Sequence, residues 1–393
     1  MSAANVRRAT SLAIALAVAA LLLLLNHAIA TLYDNHVYLA DAFLHGHVWV
    51  HVPGPYIDAL PYAGRSYIIE GPLPALAMLP AVAVWGLATN QTIFAALAGG
   101  VAVAAGWDIC RRLGVSRGPA LFLCAFLLLG TDLAWCALYA DVWFIAHVFA
   151  AAGTLLALRE LLGKKRAWLV ALFAAGAVES RFSLALAVPV YAAWLYLETS
   201  PERRGRCLAS FAFTLFPVAL AWGWYNELRW HVPYDIGYTE WYHADQIGEP
   251  TGSPFQAKYL PMELHSFFVN GPTFSRTFPY ATLTVYGQAL TWTSPALVYA
   301  FFAPRPRALV CAMWAAALLT AFPSLVYYAN GTSQFGMRHA LDFEPFLFVL
   351  MALAARAGLP LLARAALAYS VAFGVYGLWF WNAFLRKLSH GSW

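Results

Sequence analysis

Thr31-Leu-Tyr-Asp34-Asn35-His36-Val-Tyr38-Leu-Ala-Asp41-Ala-Phe-Leu-His45-Gly46-His47 follows, a few residues on, an apolar run from about Leu12 to Leu25. Two aspartates, three histidines and two tyrosines crowd this stretch of a chain that is 62% apolar. Charge at a membrane boundary costs desolvation unless water or a ligand meets it. An apolar run followed by such a cluster reads as a first membrane helix that opens onto a site at the aqueous edge of the bilayer. The rest of the chain can be read outward from there.

Charged residues make up only 11% of the chain and the mean hydropathy is +0.62. A soluble domain carries roughly 25% charged residues. The apolar runs are continuous rather than alternating, which excludes a β-barrel. The fold class expected is all-α: a polytopic transmembrane helical bundle with outer-face loops and short juxtamembrane helices. Five cysteines, with no CxxC spacing, read as small packing residues. No HExxH or zinc-finger spacing occurs among the eleven histidines. No phosphate-binding glycine loop is present, and no nucleic-acid partner is expected.

Roughly 20 apolar residues cross a bilayer. Beyond the first helix, candidate spans lie at about 91–110, 118–138, 142–162, 167–179, 182–197, 207–227, 281–302, 308–328, 341–355 and 358–381. That makes about 10–11 spans in a single integral membrane domain, 1–393. Ala28-Ile-Ala30 resembles a signal cleavage site, but the many later spans favour an uncleaved first helix. Basic clusters stand at Arg7-Arg8, Arg111-Arg112, Lys164-Lys165-Arg166, Arg203-Arg204, Arg305 with Arg307, and Arg356 with Arg364. The positive-inside rule places all of them in the cytoplasm if residues 72–88 do not cross. The N-terminus is then cytoplasmic. The first outer loop, 30–90, carries a juxtamembrane or re-entrant segment, and the large outer loop, 228–280, lies on the same side. The composition suggests a bacterial inner membrane. With short cytoplasmic loops, the chemistry belongs outside, where an activated donor must be carried by a lipid.

Several residues are candidates for that chemistry. Asp34 and Asp41 stand seven apart, on one face if helical. Asp141, in the short turn Tyr139-Ala-Asp141-Val-Trp143, either caps the helix that follows or faces the same outer cavity as Asp34. Two carboxylates could hold a divalent metal ion, or one could act as base on an acceptor hydroxyl. Asp58, in the same loop as Asp34, is expected to be a solvated bystander. Arg338, in Gln334-Phe-Gly336-Met-Arg338-His339, is an arginine on the outer side. Its fork suits a lipid phosphate, and its local alternatives are Asp342 and Glu344. Tyr238, in the aromatic-rich large loop, suits a sugar face or the membrane interface.

The order of these features resembles the GT-C superfamily of integral membrane glycosyltransferases, in the branch of protein O-mannosyltransferases and aminoarabinose transferases. The resemblance rests on Asp34-Asn35, Tyr38, Gly46, Gly64-Arg65-Ser-Tyr67 and Gly71-Pro72-Leu-Pro74 in that order, then Asp141 and the Gln334–Arg338 segment. It departs from the family at Asn35, where a Glu is usual, and at Glu70-Gly71, where a Lys precedes the prolines. The resemblance implies a sugar moved, with inversion, from a polyprenyl-phosphate donor to a glycan, lipid or protein acceptor, with membrane lipids around the protein. It implies Asp34 as base, Asp141 as the second acidic group, and Arg338, Arg65, Tyr67, Asp41, Tyr238 and Gln334 as substrate contacts. The rival reading is a non-catalytic transporter or lipid-binding membrane protein. Such a protein would place ionisable residues at mid-membrane. Glu179 and Arg181 are the residues singled out there, and no repeat is evident.

Overall fold

Helix α1, Ala3–Asn26, has no charged residue after Arg8. At about 1.5 Å per residue it is long enough for a hydrocarbon core of about 30 Å. It stops where His27 and Ala28 both take positive φ, a left-handed geometry that ends helices. The computed structural model describes residues 3–51, 58–304 and 306–385. Arg305, one of the basic markers, lies outside them.

Helix α2 (Asn35–Leu44) leads to a hairpin of β1 (Leu60–Tyr62) and β2 (Arg65–Tyr67). Ala63 and Gly64 both have positive φ at its turn, as a two-residue connection matching strand twist requires. Helix α3 (Leu73–Trp85) follows. At 13 residues it spans about 20 Å, too short to cross, in keeping with a re-entrant or surface segment. It packs on α2 through Val37, Leu39, Ala40, Ala75, Met78 and Val82. Gly71, just before it, is required by a close approach: a Cβ there would overlap the Glu179 carbonyl. The same carbonyl accepts a hydrogen bond from the Leu73 N–H at 3.2 Å.

Next come α4 (Gln91–Arg112), α5 (Arg117–Leu129), α6 (Leu133–Tyr139) and α7 (Val142–Leu161). Helices α5 and α6 form one apolar stretch bent by 46°. Thr131 makes the break. Its hydroxyl donates to Leu127 O at 2.7 Å, ending α5, and accepts from the Leu133 N–H at 3.2 Å, starting α6. Then follow α8 (Ala167–Val178), α9 (Val188–Glu198), the 30-residue α10 (Pro201–Trp230), α11 (Gly237–Ala244) and α12 (Leu260–Phe268). Strands β3 (Thr273–Phe274) and β4 (Ala281–Thr282) make a second hairpin. Strand β5 (Tyr286–Gln288) pairs in parallel with β6 (Gln334–Gly336), across α13 (Leu290–Thr293) and α14 (Arg307–Leu325). Helices α15 (Glu344–Ala354) and α16 (Leu361–Phe380) complete the order.

The all-α polytopic bundle is therefore what the chain forms. Among the described residues six helices are long and apolar enough to cross a membrane, or seven if the bent α5–α6 pair is one span. The expected count of about 10–11 is not met by long helices. Residues 281–302 are divided among β5, α13 and a 3₁₀ turn, Pro295–Phe302, with Pro295 blocking a continuous helix. At 341–355 a 3₁₀ turn, Arg338–Asp342, runs into the 11-residue α15. Helix α15 is buried nearly all round and packs against α5, α14 and the 3₁₀ turn Pro295–Phe302, the behaviour of a helix sheathed in protein. The chain forms two compact units. One comprises Met1–Ala105 with Cys136–Pro254, the other Gly106–Trp135 with Phe255–Trp393.

Candidate active site

In the first unit a single buried side chain, Gln91, joins the segment after α1 to the turn before α7. Its amide nitrogen donates to Ala140 O at 2.7 Å and to Tyr33 O at 3.2 Å. Its oxygen accepts from the His36 N–H at 3.2 Å. Fully buried His36 reaches Val142 O at 3.3 Å through Nε2. Asn26 and Thr92 add bonds to Leu138 O and Ile29 O. Asp34 and Asp141, which are 107 positions apart in the chain, are thus carried by segments that share one set of hydrogen bonds.

Asp141 stands at the N-cap position of α7 but makes no side-chain capping bond. Its carboxylate instead accepts from the Thr31 hydroxyl. Capping does not account for it. Tyr33 lies between, its ring 5.9 Å from that of Trp143. Burial raises the Tyr33 phenol above its ordinary pKa, and the charges of Asp141 and Asp58 add to the rise.

Asp34 precedes α2 and also makes no side-chain capping bond. Burial lifts its pKa from 3.8 to about 6, tempered by its own backbone N–H. A carboxylate with that value is ionised at neutral pH yet basic enough to take a proton in a transition state. Asn35, fully buried, donates to Asp58 O at 2.7 Å. The Asp58 charge raises both the Tyr33 phenol and the Glu70 carboxyl. Glu70 is buried, with Oε2 unpartnered. Burial and then Asp58 push it up to about 8, against the pull of Arg181 and Arg229, so it is neutral at pH 7.

The other expected contacts in this unit have local partners. Asp41 lies 3.6 Å from His45 Nδ1. Arg65 is exposed and sits 5.2 Å from the Trp49 ring. Tyr67 is buried with its ring 5.1 Å from Trp230, so it serves the core of the hairpin layer. Tyr238 lines a small polar cavity with Arg229, Asp235 and Ser180, and its hydroxyl is 3.5 Å from Arg181 Nη1.

In the second unit Arg338 is buried at 7% exposure. Its Nη1 donates to Gln334 Oε1 at 2.6 Å. Gln334 in turn donates to Tyr286 O at 3.1 Å and Asn330 O at 2.8 Å. Gln334 therefore clamps Arg338 and fastens β6 to β5. Gly331, with φ of +92°, leaves the room that the guanidinium fills. Asp132 and Glu263 both feel the Arg338 charge. Both are buried, and neither Glu263 oxygen has a hydrogen-bond partner among the described residues. Burial lifts Glu263 to about 8, against the pull of Arg338. A Cβ at Gly336 would lie 2.6 Å from Asp132 Oδ1, so glycine there lets Asp132 approach.

Sequence reasoning passed over Thr31, Gln91, Asp132 and Glu263. Asp132 alone carried a signal, an acid inside an apolar run. Among the described residues no three His, Cys, Asp or Glu side chains form a group that could hold a metal ion.

No protein-family model matches this chain, and no curated protein does. Among solved structures, the crystal structure of ArnT from Cupriavidus metallidurans bound to undecaprenyl phosphate matches over 98% of this chain and 73% of its own. The TM-score is 0.50 and the identity 16%. At that identity the likeness is one of fold. By its helices and by this likeness, the chain has a fold similar to that of ArnT, with several helices long and apolar enough to cross a membrane.

Proposed function

We propose that this protein is a glycosyltransferase that moves a sugar from a polyprenyl-phosphate donor to an acceptor hydroxyl at the outer face of the membrane. The observation that carries the reading is Asp34. It is a half-buried carboxylate that makes no side-chain capping bond and has its pKa raised to about 6. It sits one segment away from the Thr31–Asp141 bond. Support for the donor class comes from the similar fold of ArnT, whose crystal structure holds undecaprenyl phosphate.

In the proposed reaction Asp34 takes the proton of the acceptor hydroxyl as its oxygen attacks the anomeric carbon. The bond from that carbon to the phosphate oxygen breaks on the opposite side. The polyprenyl phosphate leaves with the electron pair, and the configuration inverts. Asp141, fixed by Thr31, orients the acceptor. Arg65 is an exposed cation of the same unit, available to the departing phosphate. The membrane is proposed to be a bacterial inner membrane, with the N-terminus cytoplasmic. The test is purified protein given polyprenyl-phosphate sugars together with membranes as acceptor source. Transfer by the native chain and its loss in Asp34→Asn are expected.

One observation favours a different reading. A buried acid, Asp132, at the break of a bent apolar helix pair is a feature of transporters. Proton or ion flux through reconstituted vesicles, abolished by Asp132→Asn and unaffected by Asp34→Asn, would favour that reading over glycosyl transfer.

A further inference from the structure

The large outer loop and its continuation divide by charge. Residues 235–263 carry Asp235, Glu240, Asp245, Glu249 and Glu263, whereas no Asp or Glu occurs between Glu263 and Asp342. In the acid-free part the β3–β4 hairpin displays Phe274, Phe278 and Tyr280 at 65%, 64% and 59% exposure. Its one charge is exposed Arg276, at the tip. Three bare aromatics and a cation on one short hairpin call for a partner that is apolar with anionic groups above it.

The hairpin's own bonds suit it to leave water. Ser275 N donates to Tyr280 O at 2.8 Å, and Tyr280 N to Thr277 O at 2.8 Å. The Ser275 hydroxyl donates to Thr277 O at 2.6 Å. Backbone that satisfies itself is the condition for entering an apolar phase.

What covers these rings follows from their neighbour. The hairpin rests on the end of α16. The Phe278 ring is 6.0 Å from Trp379 and 6.0 Å from Phe384, and the Tyr376 hydroxyl donates to Ala281 O. The apolar stretch Leu361–Leu385 is one of the membrane-span candidates, and only 28% of its apolar window is buried inside the protein. A crossing helix so little covered by protein leaves the rest of its surface to lipid. The span carries Arg364 near its start and Trp379 and Phe384 at its far end, where an aromatic interfacial belt is expected. The hairpin continues this lipid-facing surface without a gap.

We propose that the β3–β4 hairpin is a membrane anchor that lies in the lipid interface beside the end of α16. Phe274, Phe278 and Tyr280 enter the acyl boundary, and Arg276 meets lipid phosphates. The proposal is independent of the catalytic reading. Its test places a nitroxide at Phe278→Cys in the full chain with its native cysteines replaced, reconstituted in phosphatidylethanolamine/phosphatidylglycerol bilayers. Power-saturation EPR then compares accessibility to oxygen with accessibility to a water-soluble nickel chelate. Val375→Cys, exposed on the span, and Gln246→Cys, exposed in the acidic part of the loop, are the references. A label at 278 that prefers oxygen, as at 375, supports the anchor. Preference for nickel, as at 246, overturns it, as does shielding from both reagents, which would mark a protein partner. Tyr280→Cys repeats the reading if Phe278→Cys does not fold.

Discussion

The Asp34 region and the Arg338 region both gather ionisable groups, yet they are built in opposite ways. Asp34 is half-buried and makes no side-chain capping bond, next to segments fixed by Gln91. Arg338 is buried and held by Gln334, with Asp132 and Glu263 inside its field. A reacting group must be free to meet substrate, while the frame around it must be satisfied. The first region has the form of a place for chemistry. The second has the form of a place whose charges hold one another in position, and donor binding there would have to draw on an arginine that is already bonded.

The largest expected effect falls in the first region. Asp34→Asn should reduce transfer by roughly 10²–10⁴-fold with the thermal transition unchanged. A rate within a few-fold of the native chain would erase the contrast. In the second region stability should suffer instead. Arg338→Ala leaves the buried Gln334 Oε1 without its donor, a loss of about 1–3 kcal/mol. Arg338→Lys should recover part of this. Polyprenyl-phosphate affinity measured on the same variants sharpens the comparison. Affinity lost in Arg338→Ala but kept in Gln334→Ala would assign phosphate binding to Arg338. Unchanged affinity in Arg338→Ala would confine it to the frame.

A smaller effect is expected at Gln91, which bonds but does not react. Gln91→Leu strands the Tyr33 and Ala140 carbonyls at about 1–3 kcal/mol each. Transfer should fall less than in Asp34→Asn. Chemical denaturation beside initial rates separates the two. The smallest effect at neutral pH is expected at Glu70. Its carboxyl, raised to about 8, is already neutral there, so Glu70→Gln should leave transfer at pH 6.5 nearly unchanged. The folded group resists ionising while the unfolded one ionises near its ordinary value of 4.5. Glu70 therefore makes the native chain lose stability as pH rises from about 4.5 to 8. That slope should be shallower in Glu70→Gln than in the native chain, and an unchanged slope would mean the group is not buried as described.

The helices were legible because apolar length reports on spans directly, as at α1, α4, α7, α10, α14 and α16. Residues 281–302 and 341–355 were not, because apolar composition is the same whether a segment faces lipid or is sheathed by protein, as α15 is. Asp34 and Asp141 stood out as acids at apolar boundaries. Gln91 and Thr31 did not, since a neutral polar residue acquires its role only through partners far away in the chain. Asn90 and Thr92 are of the same kind, donating to Ala28 O and Ile29 O. The pairing of β5 with β6 joins Tyr286 to Gln334, 48 positions on, and only its Gln334 end had drawn notice.

The central claim is that a half-buried Asp34 works as the base of glycosyl transfer. The most direct measurement is the pH dependence of sugar transfer from a polyprenyl-phosphate donor, under conditions where chemistry limits the rate. With a pKa of about 6, Asp34 is protonated and idle below that value and ionised above it. The rate should rise through a limb near pH 6, reach a plateau toward neutrality, and lose the limb along with most of the rate in Asp34→Asn. A limb near pH 6 that survives in Asp34→Asn would contradict the account.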